Sequence, residues 1–456
     1  MNFTTELLVQ LSICLVMFVV MVYALWTSSM RSVGLPLAFL LSLAMIHWVG
    51  GFIHTLPWFD STYSSAVVAF GFQECFVSML AFASGSLIAA PLVFKRVRWF
   101  QPPGKPALPQ LPLALFYMAL GLFCVGVLFP LVRAIPSFGA LAVCGAYLTV
   151  SGLCLSCWQS WVARNRLRLA LKLSLCASFP VFTLITLGFI GYGTVAALIV
   201  FMFVFSFFRP RWLAVLGLLG AFYFGLSLFV TYMRDRDALR EMVRVQESYS
   251  DRINAFGEMV GNFEWIDWHN EQHLVSIDDR LNQNFLVGAA KVNLLLGAVP
   301  FARGKTLWEA VLALVPRIFW PGKTVRSGSP DIVEDFTGIP FEEGTSIGVG
   351  QVMEFYINFG RIGVLVGFFV IGLVVRIMDG MAAQFLYCQD WRGFTTWFLP
   401  GLGFLQTGGS LVEVSGTVAA SLVLVIGLNK LLLPLLISKM GLAPSSASRK
   451  PVEWQA

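Results

Sequence analysis

Residues 354–376 read EFYINFGRIGVLVGFFVIGLVVR. From Phe355 onward the stretch is apolar apart from Asn358, Arg361 and the closing Arg376. A run of about 20 such residues crosses a hydrocarbon core ~30 Å thick as a helix. The stretch therefore predicts a membrane span, with Glu354 at its mouth and Asn358 one turn further in.

Outward from this segment the same pattern recurs at 7–27, 34–56, 66–94, 112–132, 138–161, 169–187, 193–208, 212–232, 393–409 and 412–437. The tract 169–208 is split at Gly188–Gly193, because a single helix of that length far exceeds the core. The segment 393–409 carries Pro400, Gly401 and Gly403 and reads as broken or re-entrant, which backbone tolerates only where protein or water covers it. The chain is 57% hydrophobic and 12% charged, about half the roughly 25% charge of soluble domains. The expected fold class is all-α, a polytopic membrane protein of about 11 transmembrane helices. It divides into an N-terminal bundle of about eight helices (1–233), a large loop (234–354), C-terminal helices (355–437) and a tail (438–456). Glu6, and the lack of Lys or Arg before the first apolar run, mark that run as a span rather than a cleaved signal.

Lysine and arginine in short loops set orientation. One face collects sixteen: Arg31; Lys95, Arg96, Arg98, Lys105; Arg164, Arg166, Arg168, Lys172; Arg209, Arg211; Arg376, Arg392; Lys439, Arg449, Lys450. The short loops of the other face hold only Arg133. The N-terminus is thus expected outside, the C-terminus inside and the large loop outside. Residues 234–348 hold 17 acids and 12 bases, a net of −5, against +11 for the remainder. The overall +6 is a topology signal and does not point to nucleic acid. Within the loop, 234–256 is expected to be helical, and 285–299 and 305–315 to be short helices at the interface or packed on the bundle.

Arg280, Arg303, Lys305, Arg317, Lys323 and Arg326 fall within residues 280–326. A guanidinium grips two phosphate oxygens at once and an ammonium adds a point charge. Two readings stand side by side: a lipid-diphosphate site, or headgroup contacts and salt bridges to the loop acids. Pro316 and Pro321 stiffen the backbone around Arg317, and Trp320 suits an interfacial depth. Among the acids, Glu354 and the Asp278-Asp279 pair beside Arg280 are candidates for taking a proton from a hydroxyl; for Glu354 an ion pair with a loop arginine is the competing role. His269 and His273, four apart, have the spacing of one helical face, and one of them is a further candidate base. With no third ligand they do not make a zinc site. The Asp235-Arg236-Asp237 triplet is weak as a metal signature, and no metal is expected. His47 and His54 are expected to hydrogen-bond within the bundle, and Glu74, Arg361 and Glu413 to form structural pairs. Cys154 and Cys157 have redox or zinc spacing but lie in an apolar span, so they read as packing. Walker, nucleophile-elbow and dinucleotide fingerprints are missing, and no cofactor is expected.

The combination Pro316-Arg317-x-x-Trp320-Pro321-x-Lys323, Thr345-Ser346 and Glu354-x-Tyr356-x-Asn358-Phe359-Gly360 resembles the oligosaccharide repeat-unit polymerases of bacterial surface polysaccharides, the Wzy-like O-antigen and exopolysaccharide polymerases. Gly322 and Thr324 flank Lys323 where the family carries an acid and a proline. The sharp match covers about 280–365. The resemblance implies a GT-C-like membrane glycosyltransferase of the bacterial inner membrane, acting at the periplasmic face on undecaprenyl-diphosphate-linked oligosaccharide, often beside a chain-length regulator protein. It implies Arg280, Arg317 and Lys323 as candidate diphosphate ligands and Glu354 with Tyr356 as candidate acceptor-side groups. Together with the residues read above, the catalytic candidates are Glu354, Asp279 and His273, and the candidates for holding diphosphate and glycan are Arg280, Arg303, Arg317, Lys323, Tyr356 and Trp320. A ligase with the same donor, or a flippase of lipid-linked oligosaccharide, are the rival readings.

Overall fold

The computed structural model describes residues 3–96, 113–132, 138–187, 189–208, 212–245, 249–315, 320, 322, 329–340 and 347–435. Every regular element among them is helical. Seven helices are long and apolar enough to cross a membrane: α1 (Phe3–Thr27), α2 (Leu35–Ile53), α3 (Ser65–Arg96), α6 (Arg166–Thr186), α7 (Ile190–Phe208), α14 (Gln351–Tyr387) and α16 (Leu411–Leu435). Between them lie α4 (Leu113–Leu128), α5 (Phe138–Val162) and α8 (Trp212–Arg244). The helices α9 (Tyr249–Gly261), α10 (Glu271–Leu281), α11 (Asn284–Leu295), α12 (Lys305–Ala313) and α13 (Ser329–Thr337) belong to the loop region, and α15 (Trp391–Gly403) precedes α16.

The tract at 169–208 is divided between α6 and α7, as its length requires. The interrupted segment near 393 is a 13-residue helix with Pro400 inside it, about 20 Å at 1.5 Å per residue and too short for a ~30 Å core. Its backbone is buried along Phe398–Gly403, where protein rather than lipid covers the break. The start of α15 is set by Asp390, whose carboxylate accepts the Gly393 N–H. The start of α16 is set by a reciprocal box in which Ser410 and Glu413 each accept the other's backbone N–H.

Two expectations are corrected. The helix expected over 234–256 belongs to two helices, because α8 runs unbroken to Arg244 and α9 begins anew at Tyr249. Arg376, counted with the loop cations, lies within α14 and is 1% exposed. It pairs with Asp379 and donates to the Met30 and Arg31 carbonyls, while Asp379 accepts the Val33 and Leu35 N–H groups. This charge closes the end of the bundle where α2 starts, instead of meeting solvent.

At the opposite end, where α2 finishes and α3 starts, the loop region enters the bundle. The helix α11 lies directly on α3. A Cβ on Gly71 would stand 1.9 Å from the Asn284 carbonyl oxygen, and one on Gly288 2.0 Å from that of Val67. Such backbone contact is how helices associate where the surroundings are as apolar as their side chains. The helix α14 is broken at Phe359–Gly360, where Gly360 has φ 60, ψ −150. The Ile357 carbonyl just before the break accepts the Ala302 N–H at 2.9 Å, and Asn358 Oδ1 accepts that of Gly304 at 2.9 Å. The turn before α12 thus holds the broken helix.

Candidate functional site

Ile53, Leu226, Val230, Ile266, Leu274 and Ile277 form a small apolar core joining the end of α2, the middle of α8, the 264–268 segment and α10. Backbone ties reinforce it. Ser227 Oγ accepts the Ile266 N–H at 3.0 Å, Thr231 Oγ1 accepts that of Glu264 at 3.1 Å, and Trp58 donates to the Trp268 carbonyl at 2.7 Å. Because His54 follows Ile53 and Asp278 follows Ile277, this core brings two residues 224 positions apart into contact.

His54 and Asp278 are 4% and 1% exposed. His54 Nε2 lies 3.0 Å from Asp278 Oδ1 and 3.1 Å from Oδ2. Asp278 also accepts from Ser61 Oγ at 2.6 Å and from Asn282 Nδ2 at 2.7 Å. A carboxylate only accepts, so His54 Nε2 carries the hydrogen and Nδ1 presents its lone pair. Ser65 Oγ is 3.0 Å from that Nδ1 and so donates to it. Ser65 opens α3 and is exposed. Inward, Asn282 Oδ1 accepts from the backbone and side chain of Asn284, which reaches His47 Nδ1 at 2.7 Å and the His47 carbonyl at 2.8 Å. The seam therefore runs from an exposed serine through a buried histidine, aspartate and two asparagines to a second buried histidine.

The outward side of the same turn of α10 carries Asp279 and Arg280, both exposed. Tyr63 stacks on Phe285 with centroids 3.9 Å apart and hydrogen-bonds Asp279. Burial, with Asp279 and Asp278 alongside, pushes the Tyr63 phenol up to about 12. Burial, then the Asp278 charge, raises Asp279. Arg280 is pulled down by burial and then by the guanidinium groups of Arg236 and Arg240, with Asp279 and Asp237 opposing. Arg236 and Arg240 of α8 thus act on Arg280 of α10, while Arg240 lies over the Phe189 ring and Arg236 reaches Asp237 at 3.7 Å, and like charges that repel one another favour an anionic partner.

The other sequence candidates are dispersed. Glu354 is fully buried: Oε2 accepts the Leu411 N–H at 2.6 Å, and Thr306 of α12 stands beside the same carboxyl. It thereby ties α14 to the N-terminus of α16, where an anion suits the unpaired N–H groups, and among the described residues it pairs with no arginine. His273 is 8% exposed and saturated, with Nδ1 accepting the Asp267 N–H at 3.1 Å and Nε2 3.2 Å from Glu264. The expected shared face with His269 does not exist, because α10 begins at Glu271 and His269 stacks on Trp58 instead. Tyr356 is 5% exposed, Arg303 is exposed in a turn at φ 50, and Trp320 is 47% exposed. Arg317, Lys323, Arg326 and Thr345-Ser346 lie outside the described residues.

Glu74 and Arg361 pair as expected, joined by a residue missed in the sequence: Lys291 and Arg361 each reach Glu74 Oε1 at 2.6 Å. His47 and His54 hydrogen-bond within the bundle, as expected. The signal overlooked for His54 was its place one residue past an apolar span, where a polar ring is costly without a partner. No protein-family model, no curated protein and no solved structure matches the chain.

Proposed function

We propose that the protein is a membrane glycosyltransferase that joins lipid-diphosphate-linked oligosaccharide repeat units into a surface polysaccharide. The observation that carries the reading is the buried His54–Asp278 pair, two residues along α10 from Arg280, on whose guanidinium Arg236 and Arg240 act. Transfer of a glycan from a diphosphate carrier needs cations on the leaving group and a group that takes the acceptor's proton, and both chemistries meet on this turn of α10. The motif around 316–323 and 354–360 supplies the family expectation. In this reading the chain has eleven spans, 212–232 of α8 among them, and a GT-C-like layout, with the end of α8 and α9–α13 at the periplasmic face of the inner membrane and the C-terminus in the cytoplasm. Asp279, Arg280 and Tyr63 face the carrier, and the buried Glu354 holds α14 against α16.

The test uses the purified protein in lipid nanodiscs with undecaprenyl-diphosphate-linked repeat units. A ladder of products rising by one unit supports the reading. Outward movement of the substrate without covalent growth makes the protein a transporter, and growth only on a lipid A–core acceptor makes it a ligase.

A further inference from the structure

We infer that Ser65, His54 and Asp278 form a proton-relay triad that activates the acceptor sugar hydroxyl, an assignment resting on the glycosyl-transfer reading above. Ser65 Oγ donates to His54 Nδ1 at 3.0 Å, and His54 Nε2 donates to Asp278 at 3.0 Å. Only the serine end is exposed, so the hydroxyl is where the buried base meets a substrate. Asp278 is held by Ser61 and Asn282 as well as by His54, and those two donors fix the carboxylate whether the ring is neutral or charged. Phe59 packs edge-on against the imidazole, with centroids 5.4 Å apart, closing its face to water.

The acceptor O–H bond breaks as its oxygen attacks the anomeric carbon of the donor glycan. The acceptor proton passes to Ser65 Oγ while the serine's own proton passes to His54 Nδ1. The bond from the anomeric carbon to the diphosphate breaks, and the carrier leaves with that electron pair, its charge met by Arg236, Arg240 and Arg280. The imidazolium, steadied by Asp278, returns its proton through Ser65 to water. Ser65 touches the acceptor, His54 is the base behind it, and Asp278 is a positioning residue.

Ser65→Ala is the informative variant because it trims an exposed side chain at the start of a helix. Its turnover on carrier-linked repeat units should fall ~10²-fold with KM nearly unchanged, in line with a lost proton-transfer group. Ser65→Thr, which keeps the hydroxyl, should restore most of the rate. The double variant Ser65→Ala/His54→Gln should be no slower than His54→Gln alone, because the two groups act in one relay; a merely structural role for Ser65 does not produce that pattern. Asp278→Asn should lower turnover more than it raises KM. If the parent polymerises and Ser65→Ala does so at the parent rate, the triad is overturned and the polymerase reading stands. Labelling of Ser65 by the glycan donor would also overturn the relay, making the serine a covalent nucleophile. A parent that does not polymerise overturns both readings.

Discussion

Glu354 shows how much a residue's meaning depends on what surrounds it. Read along the chain, it is an acid at the mouth of a span and a natural base; folded, it is buried with an oxygen on the Leu411 N–H. Replacing it by Gln keeps the shape and removes the charge from the N-terminus of α16. The expected loss is about 1 kcal/mol of stability, seen as a lower melting temperature in detergent, with turnover changed only a few-fold. Unchanged melting with a ~10²-fold loss of turnover would return Glu354 to the chemistry. Arg280 carries the converse prediction. If it grips a diphosphate with both nitrogens, Arg280→Lys should lose most activity at a normal protein level, because a point charge does not replace the planar fork. Full activity would leave Arg280 as a headgroup contact. The candidacies of Arg280 and Asp279 were legible in the sequence, since each carries its chemistry on its own side chain. The seam was not: His54 meets Asp278 across 224 positions, and no local pattern encodes a contact of that range.

At the scale of elements, the devices that shape the site are breaks and close approaches. The backbone of Gly360 sits at φ 60, ψ −150, a region that residues with a Cβ enter at a cost of about 1–3 kcal/mol. Gly360→Ala should therefore lower the melting temperature and loosen the turn at 302–304 that holds the end of the broken helix. Protection of the Ala302 and Gly304 amides from hydrogen exchange reports this directly, and unchanged protection would show that the break is not what the turn holds. Gly288→Ala places a methyl 2.0 Å from the Val67 carbonyl oxygen in the contact of α11 with α3, and should reduce the yield of folded protein. The helices themselves were readable because apolar length alone decides whether a segment spans. The division of 169–208 and the shortness of α15 followed from Gly and Pro positions, which act locally. The continuity of α8 past its apolar run did not, because 234–244 mixes good helix formers such as Arg, Glu, Leu and Met with two aspartates and carries no apolar run to extend the span.

For the whole molecule, the polar network lies at one end of the bundle and the buried Arg376–Asp379 pair at the other. Removing Arg376 from the loop count leaves fifteen cations on one face against one on the other, so the predicted orientation is unchanged. A phosphatase reporter fused near residue 270 should be active and one fused near 450 inactive; the reverse pattern would put the α10 turn in the cytoplasm, away from any outward-facing carrier. The membrane class and the weight of the loop were legible from composition. The site was not, because it is assembled from α2, α3, α8 and α10, whose packing is set by an apolar core of six residues scattered from Ile53 to Ile277. The most direct measurement is of the carrier-linked glycan that accumulates when the gene is deleted. Single repeat units on undecaprenyl diphosphate, accessible from the periplasmic side, are expected, with the polymer ladder gone. Single units confined to the cytoplasmic side, or an intact ladder still on its carrier, would contradict the polymerase reading.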